Sequence, residues 1–101
     1  MGYRESLLAA LLSRRISDFN EAHNRGSVSG ADGYIRLHGR DVRAPGFAFV
    51  SWINLPGGAV PTEAYPSIVP DFVIEVISPG DTYAEMSRKR RELFQSGTRL
   101  I

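Results

Sequence analysis

The stretch FVIEVIS, Phe72 to Ser78, limits the fold of this chain more than any other part of it. Apolar residues occupy both faces of the stretch, the pattern of a central strand covered on both sides rather than of a half-exposed one. Glu75 interrupts that pattern among Val73, Ile74, Val76 and Ile77. An ionised carboxylate in apolar surroundings needs a cation, several hydrogen-bond donors or a metal; otherwise its pKa rises and it takes up a proton. Two readings are open at this point. One is a salt bridge to an arginine; the other is a metal-binding or catalytic role.

The segments around this strand supply its cover. Arg4 to about His23 reads as a helix, with Leu7, Leu8, Leu11, Leu12, Ile16 and Phe19 forming one apolar stripe for packing against a sheet. Asn24, Arg25 and Gly26 follow as its stop. The pattern then changes to short β-like segments at Val28–Ser29, Gly33–His38 and Val42–Val50, with HGRD as a tight turn between the last two. NLPGGAVPTEAYPS, from Asn54 to Ser67, reads as a long irregular surface loop. After the central strand, Thr82 and Glu85 stand at capping-box spacing and Gly97 can close a second helix. Its expected inner stripe is Tyr83, Met86, Arg90, Leu93 and Phe94, with the Arg90 stem along the core. TRLI then begins like another strand and ends the chain. The expectation is a single domain over residues 1–101 that lacks its last strands and has an open sheet edge, which dimerisation would cover.

Composition excludes several kinds of chemistry. With no cysteine, the chain has no disulfide, thiolate zinc site or cysteine nucleophile. The net charge of +1 gives no general attraction to nucleic acid or to membranes, although Arg88 to Arg91 form a local basic run. No apolar run approaches the ~20 residues of a membrane span. The N-terminus lacks the features of a signal peptide, so a cytoplasmic protein is expected. Eleven arginines accompany a single lysine, so any chemistry that needs a side-chain ammonium falls to Lys89.

Asp71 and Glu75 point to the same face of the strand, but at a rise of ~3.3 Å per residue they lie roughly 13 Å apart. They cannot share one metal ion, and Asp71 reads as a strand-entry residue near solvent. A carboxylate partner for Glu75 has to come from a neighbouring strand. Lys89 stands four residues after Glu85, the spacing of an exposed helical pair. A helix folding back over the strand also brings it within reach of Glu75. His23 and His38 have no partners at ligand spacing and read as surface residues. Ser78, in ISPG, is not in a nucleophile elbow, and the chain has no phosphate loop or dinucleotide fingerprint, so no organic cofactor is expected.

Together, PDFVIEVISPGDTYAEMSRKRRELFQSGTRLI resembles the C-terminal half of the bacterial putative restriction endonuclease family, a PD-(D/E)xK-like group known as a domain of unknown function. Pro70, Asp71, Glu75, Val76, Ser78, Pro79, Asp81, Lys89, Phe94 and Gly97 follow the family's order. VRAPGFAFVS resembles its R-x-P-D-V-A-F-V stretch, and GYRESLLAALL its opening helix. The resemblance implies an α/β, restriction-endonuclease-like fold: a mixed β-sheet with a long N-terminal helix packed against it and a helix after the central strand. It implies a site in which two acidic groups hold Mg²⁺ (or Mn²⁺), which activates water for hydrolysis of DNA phosphodiesters. By position, Glu75 is the second metal ligand. Ile77 stands where the lysine usually does, and Lys89 takes that role; Glu5 on the first helix is a further catalytic candidate.

The resemblance also fails at one position. The family's P-D on the earlier strand is Pro45-Gly46 here, so the first metal-binding aspartate is absent. Mg²⁺ favours several oxygen ligands, and one carboxylate makes a poor site. Asp41 is a remote substitute. Two functional expectations therefore stand side by side. One is a homodimeric, metal-dependent endonuclease-family protein, with the missing acid counting against activity. The other is a non-catalytic remnant or dimerising module in which Glu75 and Lys89 form a structural ion pair.

Overall fold

Pro45 sets the architecture, because a residue without an N–H cannot continue a β ladder. The computed structural model describes residues 2–37 and 41–101. In it the expected Val42–Val50 strand is two strands that belong to different sheets. Chain order is α1 (Tyr3–His23), β1 (Gly26–Ser29), β2 (Ile35–Arg36), β3 (Val42–Arg43), β4 (Phe47–Ser51), β5 (Phe72–Ile74) and α2 (Tyr83–Ser96), with 3-10 turns at Trp52–Asn54 and Pro56–Gly58. β3 pairs with β2 in a small antiparallel ribbon. Beyond the buried Pro45, β4 takes the centre of an antiparallel sheet ordered β1-β4-β5. His38 and the next two residues of the HGRD turn lie outside the described residues, so that expected turn is not described.

Strand β5 is shorter than the sequence suggests, for the same reason. Its ladder with β4 ends at the pair Phe47–Ile74. One residue further, Gly46 donates its N–H to the Glu75 side chain rather than to a backbone carbonyl. The other edge of β5 meets the chain terminus: Phe72 forms a parallel bridge with Leu100, and Val73 N–H donates to Leu100 O. With its two helices the fold is α/β, as expected; the three paired strands are all antiparallel, and among the described residues the bridge to Leu100 is the parallel contact of this sheet. Cover on both faces does not extend along the whole stretch, since Val73 is fully buried but Ile77 is 67% exposed. The core gathers Ile35, Leu37, Ala48, Val73 and Leu93, with Ile68, Val69 and Ile101 packed against it.

Both helices form where the sequence places them, and both differ in the face they bury. α1 stops at Asn24, the first residue of the expected stop: Asn24 adopts the left-handed conformation (φ 48°) and its N–H returns to Asn20 O. Asparagine tolerates that region because its short polar side chain bonds locally. The Asn20 side chain accepts from Arg25 and Gly26 N–H and donates to Gly26 O, which ties the helix end to β1. The apolar stripe of α1 does not pack on the sheet as expected. No residue of the helix is buried, and Leu7 and Phe19 are 55% and 58% exposed. Its main contact among the described elements is with the four-residue β1, too short to cover a 21-residue helix.

α2 begins with Thr82 accepting from Glu85 N–H at 3.2 Å, the expected cap. It ends at Gly97, whose N–H donates to Leu93 O and Phe94 O. The Gly97 φ of 120° is one that side-chain-bearing residues rarely adopt. Its inward face differs from the expected stripe. Leu93 is buried, whereas Tyr83, Arg90 and Phe94 are exposed; Lys89 and Glu92 are half-buried instead. The long loop carries its own anchors, including Arg36 N–H to Pro66 O and an edge-on contact between Tyr34 and Tyr65. No helix among the described residues is long and apolar enough to cross a membrane.

Candidate active site

The burial of Val73 and Leu93 in one cluster explains how Lys89 finds Glu75. Two residues along the strand from Val73 advance the chain by about 6.6 Å; four residues back along the helix from Leu93 cover about 6 Å. With strand and helix running in opposite directions, these steps match. The Lys89 ammonium accordingly stands 2.8 Å from Glu75 Oε1. The Glu75 side chain is 14% exposed and that of Lys89 27%, so the pair is neither fully buried nor freely solvated.

The opposite wall of the site is the segment Arg43-Ala44-Pro45-Gly46, which leads from β3 into β4. Gly46 N–H donates to Glu75 Oε1 at 3.1 Å. Lys89 Nζ donates to Ala44 O at 3.4 Å. Arg43 Nε and a terminal nitrogen donate to the two oxygens of Glu92 at 2.9 and 3.3 Å. Hydrogen bonding to Glu92 pushes the Arg43 pKa up; burial opposes the shift, and the charges of Glu92 and Asp41 reinforce it. The half-buried Glu75 carboxylate thus has a cation and a backbone donor. Among the described residues, Lys89 supplies the charge rather than an arginine.

Lys89 separates two hollows. One, of about 380 Å³, lies between β5 and α2 and is lined by Ile74, Glu75, Ile77, Met86, Lys89 and Arg90 among others. The second, of about 360 Å³, is bounded by Arg43, Ala44, Asp81, Arg88, Lys89 and Glu92. Lys89 thus borders both hollows, and Glu75 only the first.

The other acidic candidates lie apart from the pair. Asp71 accepts from Ser51 N–H at 2.7 Å and from the Asn54 side-chain amide at 2.6 Å, so both of its oxygens hold the far end of β5. Asp81 accepts from Ser78 N–H in the turn before α2. The exposed Asp41 forms a 3.9 Å ion pair with Arg43. Glu5 lies in the first turn of α1, and no hydrogen bond or ion pair joins it to Glu75 or Lys89. His23 is exposed, stacked on Phe19 and bonded through Nδ1 to Phe19 O.

Gly46 is the position that faces Glu75. A Cβ built there would lie 3.1 Å from Glu75 Oε2 and 3.1 Å from Ile74 O. Any acidic side chain at residue 46 would thus start beside the Glu75 carboxylate. With glycine in place, the site has one carboxylate, and one of its oxygens already receives Lys89 and Gly46 N–H. Among the described residues no group of three His, Cys, Asp or Glu side chains is placed to hold a metal ion. These residues do not fit Mg²⁺, which demands near-octahedral oxygen coordination.

Of the residues singled out in the sequence, Glu75, Lys89 and Gly46 come together; Arg43 and Glu92, not singled out there, lie beside them. Lys89 and Glu92 are three apart on α2 and so share a helix face, a signal present in the sequence. That Arg43 meets this face from 49 residues away is a tertiary fact. The family model described as Uma2, putative restriction endonuclease, matches residues 1–101. No curated protein matches the chain.

Proposed function

The chain belongs to the Uma2 putative restriction endonuclease family, which supports a nuclease-like function, and from that premise we propose that it keeps the family's acid–lysine pair without a working metal centre. It acts on this reading as a non-catalytic, dimerising module, with Glu75 and Lys89 as a structural ion pair. DNA is the substrate class of the parent chemistry, and Mg²⁺ or Mn²⁺ its ion. The observation that supports the reading is the approach of Gly46 to Glu75: the residue aligned with the family's first acid lies beside Glu75 and has no side chain to offer. The exposed stripe of Leu7, Leu8, Leu11 and Phe19 on α1 supports association with a second copy, since large uncovered apolar patches mark interaction surfaces.

Calorimetry with Mn²⁺ tests the metal half of the proposal. The native chain gives no saturable heat, whereas Gly46→Asp gains a single site that a second change, Glu75→Gln, removes. Binding by the native chain that Glu75→Gln abolishes would overturn the proposal, as would plasmid cleavage with the same dependence. A folded Gly46→Asp variant without metal affinity would show that residue 46 is not the lost ligand position. Sedimentation equilibrium tests the dimer: Leu11→Glu should shift it to monomer, and a native chain that is monomeric at every concentration refutes it.

A further inference from the structure

We propose that Arg43 is a positioning residue for the acid–lysine pair, acting through Glu92 on α2. The inference rests on the reading of Glu75 and Lys89 as the family's site. Adjacent residues of one short segment grip one face of α2 at two points. Arg43 holds Glu92 through two hydrogen bonds, and the next residue, Ala44, accepts from Lys89. Two residues later, Gly46 N–H binds the same Glu75 oxygen that Lys89 reaches. The contacts at Glu92, Lys89 and Glu75 therefore have a common backbone behind them, stiffened by the buried Pro45.

The chemistry of the contact favours a positional role over a general stabilising one. A guanidinium that bonds both oxygens of a carboxylate fixes orientation as well as distance. Lysine, by contrast, is a flexible four-carbon stem with a point charge, and many rotamers would place its ammonium elsewhere. Glu92 is three residues from Lys89, so fixing Glu92 sets the rotation and height of the helical turn from which Lys89 departs. Without that brace, α2 retains its anchor at Leu93 and Lys89 its own bonds, but a contact that sets the orientation of the turn bearing Lys89 is lost. The Lys89 ammonium would then spend less time on Glu75.

Lys89 is the only lysine, so its ammonium can be followed without interference. The experiment measures the rate of Lys89 acylation by an N-hydroxysuccinimide ester in the full chain, with the α-amino group as internal reference and the melting temperature recorded beside it. Glu75→Gln releases Lys89 directly and sets the upper reference. Arg43→Gln and Glu92→Gln should each raise the rate about threefold, as expected for loss of a partly exposed pair. The exchange Arg43→Glu with Glu92→Arg should return it to the native value. Arg91→Gln, an exposed change on another face of α2, should leave it unaltered. A purely structural role would lower the melting temperature without changing Lys89 reactivity in the folded protein. If Glu75→Gln responds and Arg43→Gln does not, or the exchange fails to restore protection, Arg43 has no positioning role. If Glu75→Gln itself leaves the rate unchanged, the acid–lysine site is wrong and the inference falls with it.

Discussion

Breaking the Glu75–Lys89 pair from each side should cost different amounts. At the 2.8 Å separation, the attraction of two unit charges is bounded by roughly 1.5 kcal/mol in water and roughly 6 kcal/mol at an effective dielectric of 20. Desolvation offsets much of this, and the exposure of the two side chains places the pair between a surface bridge and a buried one. A net coupling of about 1–2 kcal/mol is expected. Lys89→Met leaves the less exposed partner, Glu75, with only the Gly46 N–H, and should cost about 2–3 kcal/mol. Glu75→Gln leaves the more exposed ammonium with Ala44 O and water, and should cost about 1–2 kcal/mol. The double variant should be less destabilised than the sum by the coupling energy. Urea unfolding followed by circular dichroism measures all four proteins, with equal slopes required for a valid comparison. Costs that simply add, within about 0.3 kcal/mol, would refute the pair as an energetic unit.

Three further changes probe the frame around it. Gly97→Ala forces a side chain into a backbone with φ of 120° and should lose about 1–2 kcal/mol, seen as a lower urea midpoint. Leu93→Ala removes the buried anchor of α2 and should cost about 2–5 kcal/mol in the same assay, with a rise in Lys89 acylation; native-like stability would place the helix elsewhere. Asp71→Asn weakens the bonds to Ser51 and Asn54 and should cost about 1–2 kcal/mol, while leaving the Mn²⁺ affinity of a Gly46→Asp background unchanged, because Asp71 belongs to the opposite end of β5.

The legible parts of this protein were those decided within a few residues. Thr82 and Gly97 bound α2 because a hydroxyl cap and a left-handed glycine are local solutions to the unsatisfied ends of a helix. The helical pattern at the N-terminus likewise placed α1 within a residue. Local periodicity did not say what each helix would touch. The stripe of α1 is intact in the sequence, yet the described residues place only a short strand beside it. For α2, Arg90 fitted the apolar periodicity as well as Lys89 did. The rotation of the helix was decided by Leu93 entering the core with Val73, which turns Lys89 and Glu92 toward the sheet.

For the site, the sequence alone determined the chemical inventory: one acid in an apolar strand, one lysine to answer it, and a glycine where a second acid was expected. Those identities follow from composition and motif order, and no fold changes them. Tertiary structure decided the distances. It joined Glu75 to Lys89, set Gly46 against both, and brought Arg43 to Glu92. The physical reason is that an ion pair depends on where whole elements pack, which comes from burial of apolar residues such as Val73 and Leu93 and from the break in pairing at Pro45.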